Sequence, residues 1–469
     1  MRGVANDTPP WDALSGQYQL RPGTPHSVVG QRPVLGAGRL GRLLRGQAGA
    51  QVSRTLTSLF TLCAHAHRRT AEQALAAVQG GPQGLGATDP PVLLWIETAR
   101  DHLRAIALDW PQRLPHASES GPSLDYFTGI QWWRSERLTG VVIPATGDPI
   151  IVTPFFEQPT IKEMLGVPAE IRTWQEDEEP LKLVADFLKE RSAAGLPFGF
   201  EETNRFFLLD RLQAQLPKTR IVSANPIVRG TRMIKSDAEI SLMQAAADIT
   251  VAAFRHVWPQ VRDGMAGSEI IAMISAATRA LGGEPWDGLV LVGEGTAYPH
   301  GTRIPQKVTR GSNVLFDCGC SVHGYQSDIS RSFVFGADPT AEQRKVWTQM
   351  RRGQDIAFAA ARLGAAAGSV DDAVRSAYES WGYGPRYKLP GTSHRTGHGI
   401  GMEVHEPINL VHGETTPLAI GMCFSNEPGI YLPGQFGVRL EDCFHMTAAG
   451  PKWFSTPPPS IDDPFGGHA

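Results

Sequence analysis

The sequence lacks any run of 18 or more consecutive apolar residues, so it predicts no segment that spans a bilayer. Its amino terminus, MRGVANDTPPWDALSG, carries charge but is not followed by an apolar core, and a secretory signal is therefore not predicted. Basic residues are not in excess, since 44 Lys and Arg stand against 47 Asp and Glu and leave a formal charge of -3. That balance argues against nucleic acid or an acidic membrane as partner and favours a small molecule or a peptide.

Cysteine is scarce, with five residues in an odd count and no CxxC pair. This pattern indicates neither a disulfide framework nor a zinc knuckle, and we expect a protein of the reducing cytoplasm. Cys63, with His65 and His67 close by, has no second cysteine pair to complete a metal site. We interpret that segment as a helix with an incidental thiol and histidines.

The length of 469 residues predicts two or three domains. Residues 1–117 form an atypical extension, predicted as partly disordered and partly helical, with helices over 52–78 and 92–109. Residues 118–228 are predicted as an α/β domain, which contains a β-hairpin over 138–154 and an amphipathic helix over 177–193. Residues 229–469 form the third region.

Helix start signals organise the third region. Ser236 with Glu239, and Thr340 with Gln343, each form a capping box that predicts the start of a helix. A third helix is predicted over 369–382 and ends at a glycine. Strand-like segments lie between and after these helices, and they carry most of the polar residues that suggest chemistry.

The first such segment is NVLFDCGCSVHGYQSDISRSFVF, in which two β-rich runs flank the turn residues His323 and Gly324. A chain reversal there brings Asp317 and Asp328 together on neighbouring strands. Two carboxylates that converge repel each other unless they share cations, so the pair suggests a metal site. The alternative from this segment alone is a solvated turn with two surface acids.

The second segment, SHRTGHGIGMEVHEP, places His394, His398 and His405 within a glycine-rich stretch. Imidazole is a common ligand for catalytic divalent metals. A single histidine would more often be a packing or surface residue, but three in so short a loop favour a functional site.

The third segment is MCFSNEPGIYLPGQFGVRLEDCF, again two extended runs about a Pro/Gly turn. Alternation along the second run puts Arg439 and Glu441 on one face and turns Asp442 away from it. Glu427 on the first run is expected to lie nearby. Either glutamate alone would be interpreted as a surface residue.

Together these segments offer four carboxylates and one histidine, an oxygen-rich set that suits manganese, with cobalt or zinc as alternatives. We predict two divalent metal ions that together activate a water molecule for attack on a scissile carbonyl. The predicted metal ligands are Asp317, Asp328, His398, Glu427 and Glu441.

The segment GTSHRTGHGIGMEVHE resembles the proline-peptidase motif of prolidase and aminopeptidase P. The two aspartates, the EPG at 427–429 and the RLE at 439–441 follow in the order found in that family. The resemblance covers residues 118–469, whereas residues 1–117 do not fit. It implies an α+β fold, with a pita-bread catalytic domain of curved antiparallel sheet and helices behind a smaller creatinase-like α/β amino-terminal domain.

The resemblance also implies roles for individual residues. Asp317 would bind one metal, His398 and Glu427 the other, and Asp328 and Glu441 both. Glu427 would also shuttle a proton. The remaining implied catalytic residues are His300 for substrate binding, His394 and His405 for substrate contact or oxyanion stabilisation, and Arg439 for orientation.

The implied activity is removal of an amino-terminal residue from peptides with proline at the second position, by a protein that is commonly a homodimer. Three alternatives share the fold. A creatinase-like amidinohydrolase works without metal and does not keep this ligand set. A dimethylsulfoniopropionate lyase-like metalloenzyme is a stronger alternative, and a non-catalytic peptide-binding module is the third, which metal content would distinguish.

Overall fold

The computed structural model describes residues 121–466, together with the strands at 17–20, 28–31 and 116–119. The strands β1 (Gln17–Leu20) and β2 (Val28–Gln31) pair antiparallel within a unit of their own that ends at residue 102. The predicted helices over 52–78 and 92–109 lie outside the described residues, as do Cys63, His65 and His67. Among the described helices, none combines the length and apolar character that a membrane crossing needs.

The second unit begins with an α/β domain built on a six-stranded sheet. Its strands are β3 (His116–Glu119), β4 (Gly140–Ile143), β5 (Ile150–Pro154), β6 (Glu170–Trp174), β7 (Phe198–Phe200) and β8 (Ile221–Ser223). Their order in the sheet is β6-β5-β4-β3-β7-β8. The pairs β3–β4 and β4–β5 run antiparallel, and the other neighbouring strands run parallel. The antiparallel pairing of β4 with β5 confirms the predicted hairpin.

Five helices accompany this sheet: α1 (Pro122–Thr128), α2 (Gln158–Met164), α3 (Pro180–Glu190), α4 (Phe206–Gln215) and α5 (Asn225–Met233). α3 confirms the helix predicted within 177–193. It begins where Glu179 accepts a hydrogen bond from the Leu181 N–H at 3.1 Å, and Pro180 fits the first turn because it has no N–H to satisfy. Its buried residues, among them Val184 and Phe187, pack on the core beside β4 and β5.

Residues 229–466 contain two helix pairs. The first pair is α6 (Asp237–Val257) and α7 (Gly267–Ala280), and the second is α8 (Ala341–Ala360) and α9 (Gly368–Ser380). Both predicted capping boxes are present, with Ser236 Oγ accepting from the Glu239 N–H at 3.3 Å and Thr340 Oγ1 from the Gln343 N–H at 3.2 Å. α9 confirms the helix predicted over 369–382.

Short strands fill the space between the helix pairs. They are β9 (Glu284–Pro285), β10 (Leu289–Val292), β11 (Asn313–Cys318), β12 (Cys320–Val322), β13 (Tyr325–Gln326), β14 (Ile329–Val334), β15 (Gly397–Gly399), β16 (Glu406–Leu410), β17 (Cys423–Asn426), β18 (Ile430–Leu432), β19 (Phe436–Val438), β20 (Asp442–Thr447) and β21 (Gly450–Trp453). They form sheets in the orders β10-β11-β14, β13-β12-β9, β16-β15-β17-β20-β21 and β18-β19.

Two hydrophobic cores divide this region. One packs α6 and α7 against β10, β11 and β14 around Phe254 and Phe316, and the other packs α8 and α9 against the five-stranded sheet around Trp347 and Phe424. A backbone bridge between Ser330 and Glu441 joins the two strand systems. The predicted ligands lie along this seam.

Candidate metal centre

The first two predicted ligands come from the β11–β14 hairpin. Asp317 lies on β11 opposite Ser330, and Asp328 immediately precedes β14. The reversal that joins them passes through β12 and β13, whose two-residue turn is His323 and Gly324, both with positive φ. The predicted turn is therefore confirmed, and it returns the chain so that both aspartates reach the seam.

Gly319, between β11 and β12, packs directly against the backbone of Ser327. A Cβ at this position would lie 1.9 Å from the carbonyl oxygen of Ser327, far closer than any side chain tolerates. The absence of a side chain lets the two backbones approach next to Asp328.

The second half of the site supplies the remaining predicted ligands. His398 lies at the centre of β15, Glu427 directly follows β17, and Glu441 directly precedes β20. His398 Nε2 lies 3.3 Å from Glu427 Oε1, 3.7 Å from Asp328 Oδ2 and 3.9 Å from Glu441 Oε1. The ligating atoms of Asp328, His398 and Glu441 all lie within 4.8 Å of one another, in a spacing that could hold a metal ion.

Because these carboxylates are buried together, their charged forms are unfavourable in free energy unless a cation is bound. Burial and the neighbouring negative charges raise the pKa of Asp328 and that of Glu441 well above their usual range. Asp328 Oδ1 and Glu441 Oε1 are buried and have no hydrogen-bond partner. Carboxylate oxygens left unpaired inside a protein are the donors that a divalent ion takes, so the site fits the metal.

Glu427 differs from these two carboxylates. Burial acts to raise its pKa, but the hydrogen bond from His398 and the positive charges of the site outweigh burial and lower the pKa of Glu427 to about 2. Its backbone N–H donates to the Thr396 carbonyl at 2.8 Å, which fixes the chain where the side chain enters the seam.

Ser330 and Arg439 connect the two halves. Ser330 Oγ lies 3.0 Å from Asp317 Oδ1 and 2.9 Å from Glu441 Oε2, and its single proton can be donated to only one of them at a time. Arg439 donates to Ser330 Oγ at 3.2 Å and forms a buried ion pair with Asp317. The predicted alternation is present: Arg439 and Glu441 face the site, whereas Asp442 binds Arg331 at 2.7 Å behind it.

The structure gives His394 internal partners. Its Nδ1 lies 2.8 Å from the Arg395 carbonyl oxygen and its Nε2 lies 2.8 Å from the Tyr431 hydroxyl. Because the carbonyl can only accept, Nδ1 carries the proton and Nε2 accepts from tyrosine; burial lowers the pKa of His394 and favours this neutral form. Both ring nitrogens are thus used within the protein.

His405 and His300 are the exposed members of the predicted set. The ring of His405 lies 4.2 Å from that of His398 in an edge-to-face arrangement. His300 lies close enough to His394 and His405 that its charge lowers the pKa of each. Neither exposed histidine has a side-chain hydrogen bond to the part of the chain that the structure describes, so both can reach a ligand.

Sequence reasoning missed several residues that support the site. Tyr431 accepts a hydrogen bond from Arg439 at 3.1 Å and so links that arginine to His394. On α9, the fully buried Asp371 accepts from the Thr396 N–H at 3.1 Å and from the Thr396 hydroxyl at 2.7 Å. No local motif marks these residues, because their partners are distant in the sequence.

The site therefore combines buried carboxylates, a buried histidine and an ion pair at the seam of two halves, as a metal-dependent hydrolase requires. A sequence profile of metallopeptidase family M24 matches residues 241–448, and one of the creatinase/prolidase amino-terminal domain matches residues 117–234.

The chain is 30% identical to the Xaa-Pro dipeptidase of Lactobacillus helveticus over 340 residues, which cover 71% of this chain and 90% of that protein. It belongs to metallopeptidase family M24.

Two solved structures support the fold. The dipeptidase PepE from Mycobacterium ulcerans superposes with a TM-score of 0.70 at 32% identity, over 77% of this chain and 96% of that one. The prolidase from Thermococcus sibiricus gives a TM-score of 0.69 at 27% identity, over 76% and 96%. The predicted pita-bread domain behind a creatinase-like domain is confirmed.

Proposed function

We propose that the protein is an Xaa-Pro dipeptidase that holds two divalent ions on Asp317, Asp328, His398, Glu427 and Glu441. The observation that carries the proposal is the buried cluster of Asp328, His398 and Glu441, whose orphaned carboxylate oxygens call for a cation. The Lactobacillus relative acts, by its name, on Xaa-Pro dipeptides, and this favours a dipeptidase over an aminopeptidase P.

Divalent ions at this site would polarise the scissile carbonyl and lower the pKa of a water molecule. Glu427 would take the proton that this water loses when it adds to the carbonyl carbon. Glu427 would then deliver the proton to the proline nitrogen as the carbon–nitrogen bond breaks. The bond before proline has no N–H, so the site need not offer an acceptor at that position.

Other side chains would position the reactants. Arg439 would hold Asp317 in place, and Tyr431 would fix Arg439. Since both ring nitrogens of His394 have partners in the protein, we assign it a positioning role and leave substrate contact to His300 and His405.

The oxygen-rich ligand set favours manganese over softer metals. A homodimer and a cytoplasmic location remain predictions that rest on the family resemblance and on the cysteines. The four described cysteines are all buried and unpaired. Metal analysis of the purified protein would test the preference for manganese, and its mass in solution would test the homodimer.

The central test is release of the amino-terminal residue from Ala-Pro by manganese-loaded protein, with Glu427→Ala alongside. We expect metal-dependent release that falls by at least about 100-fold in the variant, since Glu427 serves both as ligand and as proton carrier. Cleavage of Ala-Pro-Ala in preference to Ala-Pro would indicate an aminopeptidase P. No release from either peptide, with two ions bound, would contradict the peptidase.

A further inference from the structure

The loop between β15 and β16 ends at His405, and hydrogen bonds to its backbone hold it in place. The backbone N–H groups of Met402 and Glu403 donate to Glu406 Oε1 at 2.9 and 3.2 Å. The ring of His405 is exposed and lies 4.2 Å from that of His398. The place of this ring beside the metal centre therefore depends on what holds the residues on either side of it.

One guanidinium group binds residues on both sides of His405. Arg232 Nη2 donates to Glu403 Oε2 at 2.8 Å and to Glu406 Oε1 at 2.6 Å. Arg232 lies in the last turn of α5 and is buried, although it is 174 residues from Glu406 along the chain. A guanidinium is planar and its donors point in fixed directions, so a buried one defines where the two carboxylates lie.

The same guanidinium is bound by the α/β domain on its other side. Arg232 Nη1 donates to Ser123 Oγ at 3.0 Å, and Ser123 Oγ donates its own proton to Glu201 Oε1 at 2.5 Å. Ser123 lies in the first turn of α1, Glu201 directly follows β7, and both are buried. Hydrogen bonds therefore connect the six-stranded sheet, through Arg232, to the residue that follows His405.

Lys235 binds the same carboxylate and makes a different contribution. Its Nζ donates to Glu406 Oε2 at 2.8 Å, and both groups are buried. This ammonium group already balances the charge of Glu406. What Arg232 adds is a group wide enough to reach Ser123 and Glu406 at once, which a single ammonium nitrogen does not do.

We propose that Arg232 is a positioning residue for His405, through which the α/β domain sets the place of this histidine beside the substrate. The inference rests on the proposed peptidase function, because it takes His405 to contact the substrate. A displacement of about 1 Å can lower a rate by about 100-fold, so a link at a distance from the metal affects turnover. His398 lies within β15, which pairs with a strand on each side, so the link acts on His405 and leaves the metal ligand in place.

A double-mutant cycle with His405→Ala tests the proposal. We expect Arg232→Gln to lower kcat/KM for Ala-Pro by about 30-fold in otherwise wild-type protein. In His405→Ala protein the same change should lower it by less than about two-fold, because the histidine that Arg232 positions is no longer there. The metal content should be the same in all four proteins.

Arg229→Gln is the matched control. Arg229 lies on the same helix and pairs with Glu202, but its side chain is 39% exposed. Because exposed ion pairs contribute little, this variant should change kcat/KM by less than about two-fold in either background.

Ser123→Ala tests the same link without the removal of a charge. It takes away the hydroxyl that joins Arg232 to Glu201, and it should lower kcat/KM by about five-fold, again only in protein that keeps His405. This variant carries the test if Arg232→Gln does not fold.

Hydrogen exchange, followed by mass spectrometry, measures the loop without any substrate. The N–H groups of Met402 and Glu403 should exchange about ten-fold faster in Ser123→Ala and in Arg232→Gln than in wild-type protein, whereas those of β11 should keep their wild-type rates. If the wild-type protein cleaves no Xaa-Pro peptide, the peptidase function fails, and this comparison still tests the link.

Equal losses of kcat/KM with and without His405 would show that Arg232 only supports the structure, and they would overturn the proposal. Loss of metal from Arg232→Gln would place its effect on the ligands and would overturn it as well. Unchanged exchange at Met402 and Glu403 in both variants would show that the link does not hold the loop.

Discussion

Glu406 is a single buried carboxylate that organises the segment before β16. It accepts from Arg232 Nη2 at 2.6 Å, from Lys235 Nζ at 2.8 Å and from the backbone N–H groups of Met402 and Glu403 at 2.9 and 3.2 Å. These four hydrogen bonds to one carboxylate fix residues 402–405, the loop that ends at His405. Removal of the charge therefore affects both stability and the geometry of the site.

Glu406→Gln should lower the free energy of unfolding at pH 7 by about 3 kcal/mol, because two buried cations lose their counter-charge. Burial acts to raise the pKa of Glu406, but Lys235 and Arg232 outweigh it and lower the pKa to about 2. The stabilisation is complete above the unfolded pKa of about 4.5 and is lost as the pH falls from there towards 2. Urea unfolding of the metal-free proteins at several pH values should show the gap between wild type and variant narrowing below pH 4.5; a constant gap would contradict this account.

Residues of the metal centre could be predicted because their signals are local. His398 lies in a dense histidine–glycine segment, and Glu441 follows from the alternation of one strand. Tyr431 could not be predicted in this way, since its partner His394 lies 37 residues away and a tyrosine in an extended run is indistinguishable from a core residue. The buried Asp371 was missed for the same reason, since its partner Thr396 lies on another element.

At the scale of elements, the helices followed from their start signals, whereas the strands were predicted only in outline. Each capping box satisfies backbone donors within four residues, so the sequence contains the whole interaction. The segment 313–335 was predicted as two runs about a turn. It folds as β11, β12, β13 and β14, with Gly319 packed against the Ser327 backbone, and this contact depends on the tertiary approach of two backbones.

β15 lies so close to β17 that it has no room for a side chain at Gly397. A Cβ there would lie 2.1 Å from the Ser425 carbonyl oxygen. We expect Gly397→Ala to destabilise the protein by about 1–3 kcal/mol, because the strands must separate to admit the methyl group. The separation also displaces the adjacent His398, so metal affinity should fall.

Thermal unfolding and metal titration of Gly397→Ala test this prediction. Gly195→Ala is the matched control, since a Cβ at that glycine meets nothing within 4 Å, and it should leave both properties unchanged. Wild-type metal affinity in Gly397→Ala would show that β15 does not set the position of the ligand.

At the scale of the whole molecule, metal binding and stability are linked because the ligands come from both halves of the catalytic domain. An ion that binds only the native state at one hundred times its Kd adds about 2.7 kcal/mol of stability. For a protein of 469 residues we expect manganese to raise Tm by about 3 °C. Differential scanning calorimetry with manganese and with a chelator measures the shift.

Asp328→Asn distinguishes the stability that the metal adds from the repulsion among the buried carboxylates that bind it. Without metal, the variant should unfold at or above the wild-type temperature, since a buried negative charge beside Glu441 has been removed. With manganese, the variant should show only a small part of the rise in Tm that manganese gives the wild-type protein. A variant that is less stable than wild type without metal would show that Asp328 has a structural partner.

The division of the chain at 117 and 228 remains a prediction. β3 extends across the first boundary, and α5 extends across the second. Composition alone often places a domain boundary inside a helix or strand. The last helix of one domain and the first helix of the next have similar polarity, so the sequence does not mark the change between them. The fold class was easier to predict, since the order of the motifs is a property of the whole chain.

The five predicted metal ligands also fall into two groups along the sequence. Asp317 and Asp328 precede residues 335–340, which connect β14 to α8, and the other three ligands follow them. A polypeptide cut at this connection would give two pieces that each carry an incomplete set of donors. Recovery of tight metal affinity on mixing would then report their reassembly, which makes the connection a natural place to build a split-protein sensor.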